Sequence, residues 1–554
     1  MSASDRTPSP DADVCVVGAG PAGALVAREL AREGYDVVVL EAGPRFDETD
    51  GEARMERSIR PAYGPNEVWE MGGPRDAYRS SGAKFYPLNA ARVKGVGGST
   101  LHWQGMVMRL HESDFRRASE SGYGADWPLD YGDLRPYYAQ AERALGVAGA
   151  SDNPFAPPRE EPHPLPAFEP SYSDAVFAEA CERLGVATHS VPNARNSEPY
   201  DGRSPCVGYG TCKPVCPSGG KYDASHTVGQ AEELGVRVVD RAPVQRLVTG
   251  ADPSRVESAV YATPGGTEHR QAAERFVLAA GGVEIPRLLL LSASPDHPDG
   301  LANRSGAVGR YFHDHLFAGM GGTIDRRTSQ NHVGFLTSES HAFYDDPGRA
   351  TEGTAGGVPA SDADLSAFKL EFLNYAGPSP VEMALGASEW GDSLLDSLRE
   401  GYGTHIAMGG LVEQEPRAEN RIALDSSATD DHGNPVPDVR WSLDDRTERT
   451  LERANEIQRA ILDELNVDVG WQVGPENPGP AFHHMGTTRM GTDPDESVVR
   501  PDLRTHDVRN LHVASSSVFP TGGAMNPTLT IAALALKCAT HVRESLRMAS
   551  LSAD

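Results

Sequence analysis

Two polar side chains in the last eighty residues of this 554-residue chain have the types and the setting for moving a proton and holding an oxygen. His483, in Phe482-His483-His484-Met485-Gly486-Thr487-Thr488-Arg489-Met490-Gly491, offers an imidazole able to take a proton near neutral pH. Asn526, in Asn526-Pro527-Thr528, offers an amide able to orient a substrate oxygen. They are 43 positions apart (526 − 483), each beside glycine, proline or hydroxyl residues that let backbone approach a flat ring. Between them Asn510-Leu511-His512-Val513-Ala514 runs into Ser515, Ser516 and Ser517. Such an ending suits a flavin.

The N-terminal region supplies the matching half. Asp13-Val14-Cys15-Val16-Val17 reads as a strand, Gly18-Ala19-Gly20-Pro21-Ala22-Gly23 as a tight turn, Ala24 to Glu33 as a helix and Gly34 as its C-cap. Gly18 permits the turn, Gly20 lets a pyrophosphate approach the backbone, and Gly23 lets helix pack on strand, so phosphates meet the helix N-terminus. A second strand, Tyr35 to Leu40, ends at Glu41, 23 residues after Gly18 (41 − 18). An acid there bonds the ribose hydroxyls and disfavours a 2′-phosphate. The arrangement predicts a dinucleotide site, against the plainer alternative of a glycine-rich turn in an ordinary βαβ unit.

The length predicts two domains or one large discontinuous unit, and 39% hydrophobic residues are enough for a core. No run approaches the roughly 18 apolar residues of a membrane helix. Met1 to Asp11 lacks the basic and apolar regions of a secretory signal, so a soluble cytoplasmic protein is the default expectation. The formal net charge is −28, with lysine only at Lys84, Lys94, Lys213, Lys221, Lys369 and Lys537. Nucleic acid is a poor partner for that charge. An acidic, lysine-poor surface resembles proteins of salt-loving organisms, where salt screens self-repulsion, although an ordinary acidic cytosolic protein would share it.

Further along, Val93-Lys94-Gly95-Val96-Gly97-Gly98-Ser99-Thr100-Leu101-His102-Trp103 combines glycines that admit a flat cofactor with hydroxyls that bond its phosphates or ring. Asp126 to Tyr131 caps a helix expected from about Asp133 to Leu145, and Asn153 to Pro170, rich in proline and acid, reads as a surface loop. Strands are expected at Val236 to Val239, Val256 to Ala262 and Arg275 to Ala280, the last leading through Gly281-Gly282 into another helix. Region 331–475 has little glycine patterning and predicts a substrate-facing antiparallel sheet with helices such as Asp444 to Leu465.

Taken in order, these stretches resemble the glucose-methanol-choline (GMC) family of FAD-dependent oxidoreductases over nearly the whole chain. The series comprises the N-terminal fingerprint, Gly97-Gly98-Ser99-Thr100, Trp127-Pro128, Ala279-Ala280-Gly281-Gly282 with Pro286, Ser305-Gly306 with Val308-Gly309-Arg310, His483 to Gly491, and Asn526-Pro527-Thr528. The resemblance implies an α/β fold: a doubly wound, Rossmann-like FAD-binding domain from residues 10–110, 200–325 and 476–545, and a discontinuous substrate domain on an antiparallel sheet from 111–199 and 326–475. It assigns the adenosine end of FAD to Gly18, Gly20, Gly23 and Glu41 with Val244 near adenine, and the flavin end to Ser99, Thr100, Ser515, Ser516, Asn526, Pro527 and Thr528. His483 matches the family's base and Asn526 the partner that holds the substrate oxygen, while His484 is expected to be a packed histidine. His102 matches a position that in some members is joined covalently to the flavin and in others is only a neighbour.

Cys206, Cys212 and Cys216-Pro217 form C-x5-C-x3-C-P. Three thiolates so spaced could hold a [3Fe-4S] cluster, a pattern similar to the large subunits of gluconate, sorbitol and fructose dehydrogenases and of bacterial FAD glucose dehydrogenase, where a cluster relays electrons to a cytochrome. A structural thiol group, a redox disulfide, or a zinc site completed by His226 are the alternatives. The resemblance therefore implies oxidation of the CH-OH group of a sugar, polyol or sugar acid, with electrons leaving to an electron-transfer partner. Two other readings stay open: a lyase with an idle flavin, and an electron-transfer subunit of a larger dehydrogenase.

Overall fold

The computed structural model describes residues 11–46, 51–58, 68–90, 92–328, 334–353, 357–374 and 377–553. Residues 10, 47–50, 59–67 and 91 of the expected FAD-binding segment, and residues 329–333, 354–356 and 375–376 of the expected substrate segment, lie outside this set.

Within strand Asp11–Val17, Ala12 and the apolar run Val14 to Val17 are buried, because the run lies between parallel neighbours on both sides. Five parallel strands lie in the spatial order Arg237–Val239, Val37–Leu40, Asp11–Val17, Glu268–Leu278, Leu511–Val513. Helix Pro21–Arg32 crosses over from the first strand to the second, with Gly20 at its N-cap and proline at its first position, where the missing N–H costs nothing. That proline starts the helix three residues earlier than expected. Gly34, at φ +88°, turns the chain out of it, and the second strand begins at Val37 because Tyr35 N–H still closes the helix end on the Leu30 carbonyl. The C-terminal helix Thr528–Ala553 packs on Pro21–Arg32, so these two helices share one layer.

The strand expected from Arg275 runs from Glu268 to Leu278. Its polar first half pairs antiparallel with Val256–Ala262, and its apolar second half pairs parallel with Asp11–Val17. Helix Tyr131–Leu145 starts at an Asp130 cap with Asp133 completing a capping box, two residues ahead of expectation. Residues 153–170 contain no helix or strand.

A second sheet is antiparallel, in the order Asp468–Val473, His315–Thr323, His405–Glu413, Phe368–Leu373, Leu336–Ser340, His189–Ser190. Helix Asp445–Glu464, capped by Asp444, packs on it with its own apolar core. His315–Thr323 is a central strand of this sheet, so the expected segment 200–325 runs past the parallel sheet. The sheet consequently delivers its first residues, Asp314 and His315, to the other half of the molecule.

Candidate active site

A cleft of about 400 Å³ lies where the two halves meet. Gly18, Gly20, Glu41 and Val244 line one part, Gly98, Ser99, Thr100 and His102 another, and His483, Ser515, Ser516, Asn526, Pro527 and Thr528 a third. Gly23 and Gly97 lie behind the lining. A Cβ on Gly23 would stand 1.9 Å from the Gly18 carbonyl oxygen, so glycine alone allows this approach of helix to strand. A Cβ on Gly20 would meet nothing within 4 Å, which leaves the backbone there open to a ligand.

Glu41 is buried at the strand end, where its carboxylate accepts from the backbone N–H of Ala19 at 2.8 Å and of Gly43 at 2.9 Å. Burial pushes its carboxyl up, against those two bonds. The Thr100 hydroxyl is engaged within the protein: it donates to the Gly97 carbonyl at 2.5 Å and accepts from Ala224 N–H at 2.9 Å, tying its loop to helix Ala224–Glu233.

His483 is fixed through its backbone. The Asp314 carboxylate accepts from the N–H groups of His483 and His315, both at 2.7 Å, of Phe482 at 2.9 Å, and from the Tyr86 hydroxyl. The His483 ring meets His315, Nδ1 to Nδ1 at 2.8 Å. On its far side His315 Nε2 lies 2.8 Å from the Gly523 carbonyl oxygen. Desolvation, with His315, His484 and Lys369 adding to it, holds His483 well below the ordinary histidine range, so its imidazole is neutral and able to accept a proton. His484 turns instead towards Tyr86 and Phe312, with ring centroids 5.7 and 6.0 Å away.

Asn526 receives a hydrogen bond at Oδ1 from Lys369 Nζ at 3.1 Å. Lys369 is fully buried and lies 2.7 Å from Glu339 and 3.0 Å from Glu371. Neither His315, Asp314 nor Lys369 was singled out by sequence reasoning. The run His313-Asp314-His315 was a visible signal, whereas Lys369 sits in Ala367-Phe368-Lys369-Leu370, an apolar stretch with nothing to mark it.

The cysteine loop abuts the same cleft wall. All three thiols are free, Cys212 and Cys216 buried and Cys206 half-buried. Arg195 Nη1 donates to Cys206 Sγ at 3.3 Å and Lys221 N–H to Cys216 Sγ at 3.5 Å. Lys221 Nζ points its three N–H groups into a ring of four carbonyl oxygens, those of Trp103 at 2.7 Å, Cys212 at 2.9 Å, Leu101 at 3.1 Å and Thr100 at 3.4 Å. Burial pushes the Cys212 thiol up while Arg195 and Lys221 pull it down. His226 faces Asp201 at 3.0 Å and Gln230 at 3.2 Å. Among the described residues, His226 and the three cysteines do not bring three ligand atoms within 4.8 Å of one another, so no zinc site is assembled there.

Comparison with known proteins fits this geometry. Residues 86–317 and 416–535 match GMC oxidoreductases, and residues 13–150 match FAD dependent oxidoreductases. The chain is 31% identical to the fructose dehydrogenase large subunit of Gluconobacter japonicus, over 97% of this chain and 98% of that one. The chain belongs to the GMC oxidoreductase family. It is thus an FAD-dependent enzyme acting on CH-OH donors. It is also 31% identical to 2-methyl-1,2-propanediol dehydrogenase of Mycolicibacterium austroafricanum, over 97% and 96% of the two chains. Pyridoxine 4-oxidase from Mesorbium loti shares the fold, with a TM-score of 0.62 at 19% identity over 96% of this chain and 99% of that one.

The residues present fit the FAD of this GMC oxidoreductase: the backbone at Gly20 is open to a ligand, and the buried Glu41 carboxylate is an acceptor on the cleft lining. Among the described residues no helix is long and apolar enough to cross a membrane.

Proposed function

We propose that the protein is a dehydrogenase for a secondary or primary alcohol on a sugar, polyol or sugar acid. His483 takes the hydroxyl proton, and Asn526 holds the oxygen as charge develops on it. Bound FAD supplies the acceptor for the hydride of the same carbon. The observation that carries this reading is the placement of a neutral imidazole and an amide in the same cleft as the dinucleotide residues. The names of the two dehydrogenase relatives support a polyhydroxylated substrate.

A [3Fe-4S] cluster on Cys206, Cys212 and Cys216 is the second part of the proposal. Arg195 and Lys221 are buried cations that, among the described residues, make no ion pair with a carboxylate. Buried charge of this kind calls for an anionic partner, and a thiolate cluster supplies one. Its chemistry when bound is one-electron transfer, which suits delivery to a partner subunit.

Anaerobic mixing with fructose, gluconate, sorbitol and 2-methyl-1,2-propanediol tests the first part. At least one should bleach the flavin, and reoxidation should be faster with an artificial dye than with oxygen. Turnover without bleaching would mean a lyase. For the cluster, Cys212→Ser should remove iron and leave flavin; unchanged iron would exclude it.

A further inference from the structure

We propose that His315 and Lys369, both on the antiparallel sheet, set the hydrogen-bond polarity of the catalytic pair: His315 makes His483 an acceptor towards the substrate, and Lys369 makes Asn526 a donor. The proposal rests on the reading of His483 and Asn526 given above.

The contacts admit one pattern of protons. His315 Nε2 lies 2.8 Å from the Gly523 carbonyl oxygen and 3.4 Å from that of Gly522. Carbonyls only accept, so Nε2 carries a proton. His315 is fully buried, and burial holds its imidazole down to about 3, so no second proton is present. Its Nδ1 is therefore a bare acceptor. The 2.8 Å contact with His483 Nδ1 then requires His483 to donate. His483 is itself neutral, which leaves its Nε2 bare.

The same reasoning orients Asn526. An ammonium only donates, so Oδ1 faces Lys369 at 3.1 Å, and the two Nδ2 hydrogens are left for other partners. Burial alone would lower the Lys369 pKa, but Glu339 at 2.7 Å and Glu371 at 3.0 Å more than offset it and keep the ammonium charged. Glu339 is in turn held by His341 Nε2 at 3.0 Å. Neither polarity setter lines the cleft, so each acts through the residue it touches.

A substrate hydroxyl meets a bare Nε2 for its proton and an N–H for its oxygen. In the proton-transfer step the O–H bond breaks, the proton goes to His483 Nε2, and the electron pair stays on the oxygen facing Asn526 Nδ2. No electron leaves the substrate in this step. As His483 gains its proton, His315 Nδ1 remains in place to accept from the imidazolium.

Protein labelled with nitrogen-15 histidine gives a readout independent of turnover, with the His483 signals identified by their loss in His483→Gln. In wild type, His483 should be protonated at Nδ1 and bare at Nε2 between about pH 6 and pH 9. His315→Gln should keep this state, because the amide oxygen can accept from His483 while the amide nitrogen donates to Gly523. His315→Leu should give a mixture of tautomers. Flavin reduction should slow about tenfold in His315→Leu, the scale of one lost hydrogen bond, and recover in His315→Gln.

For the second setter, Lys369→Met and Lys369→Gln are each combined with Glu371→Gln to keep the buried charge balanced. Reduction should be slower in the first, which lacks a donor to Asn526, than in the second. A wild-type His483 protonated at Nε2, or one unchanged in His315→Leu, would overturn the His315 assignment. Equal rates in the two Lys369 double variants would overturn that of Lys369. If His483→Gln itself reduces flavin normally, the reading of His483 as base fails, whatever the tautomer proves to be.

Discussion

Several histidines are buried or half-buried and held neutral: burial pushes His163 and His313 down to about 4, and His315, His341, His484 and His512 down to about 3, and holds His483 well below its ordinary range. In an unfolded chain each titrates near 6.5. The folded state therefore binds fewer protons than the unfolded state between those values, and stability rises with pH across that window. Acidification from about pH 7.5 to about pH 5.5 protonates these histidines only in the unfolded chain, at about 1.4 kcal/mol each, or at least about 5 kcal/mol together. Asp314 acts in the opposite sense. Burial raises its carboxyl to about 6, so the folded state gains a proton on acidification and recovers under about 1 kcal/mol. The net loss is at least about 4–5 kcal/mol, a large share of a typical folding free energy. Urea unfolding with FAD in excess, followed in about 1 M KCl so that repulsion across the acidic surface is screened, should show it. His512 lies in strand Leu511–Val513 outside the cleft lining, so His512→Gln should shrink the loss by about 1.4 kcal/mol without altering flavin content. Stability flat within about 1 kcal/mol, or higher at the lower pH, would refute the reasoning.

Gly23→Ala should yield protein without FAD, because its Cβ would collide with the Gly18 carbonyl at 1.9 Å; normal flavin content at normal stability would show that the turn can shift. Lys221→Met strands four carbonyls of the cleft wall and cysteine loop, which should cost about 2–4 kcal/mol and lower flavin and iron content together; iron loss alone would argue against a structural bridge. Acid precipitation should release FAD into the supernatant, with His102 a neighbour of the ring and not its anchor, and mass spectrometry of the peptide containing His102 checks this.

The glycine turn at Gly18, the acid at Glu41 and the capping segment that contains Asp130 were legible because each is a local requirement: a backbone angle, a strand end, a helix start. The site's ends, His483 and Asn526, were legible for a related reason, since they stand in short segments whose glycines and prolines mark close packing around a ligand. The strand at Glu268 was missed in its first half because Glu268-His269-Arg270-Gln271 is polar, and only its antiparallel pairing with Val256–Ala262 explains it. The early start of helix Pro21–Arg32 was missed because proline reads as a breaker unless it stands at the first helical position.

The residues that decide protonation escaped for a different reason. His315 reaches His483 across 168 positions and Lys369 reaches Asn526 across 157, so neither pair has a spacing that local pattern can register. Both setters stand on a sheet whose sequence carries no cofactor motif, yet each is buried and each leaves its target one permitted orientation. A lysine interrupting an apolar strand, as Lys369 does between Phe368 and Leu370, must find countercharge or neutralise, because an isolated buried ammonium is far too costly to keep. Glu339 and Glu371 meet that requirement here, and with the charge secured, the remaining ammonium proton is free to fix the Asn526 amide. The cofactor-binding segments thus bring His483 and Asn526 to the cleft, and the antiparallel sheet determines which of them donates.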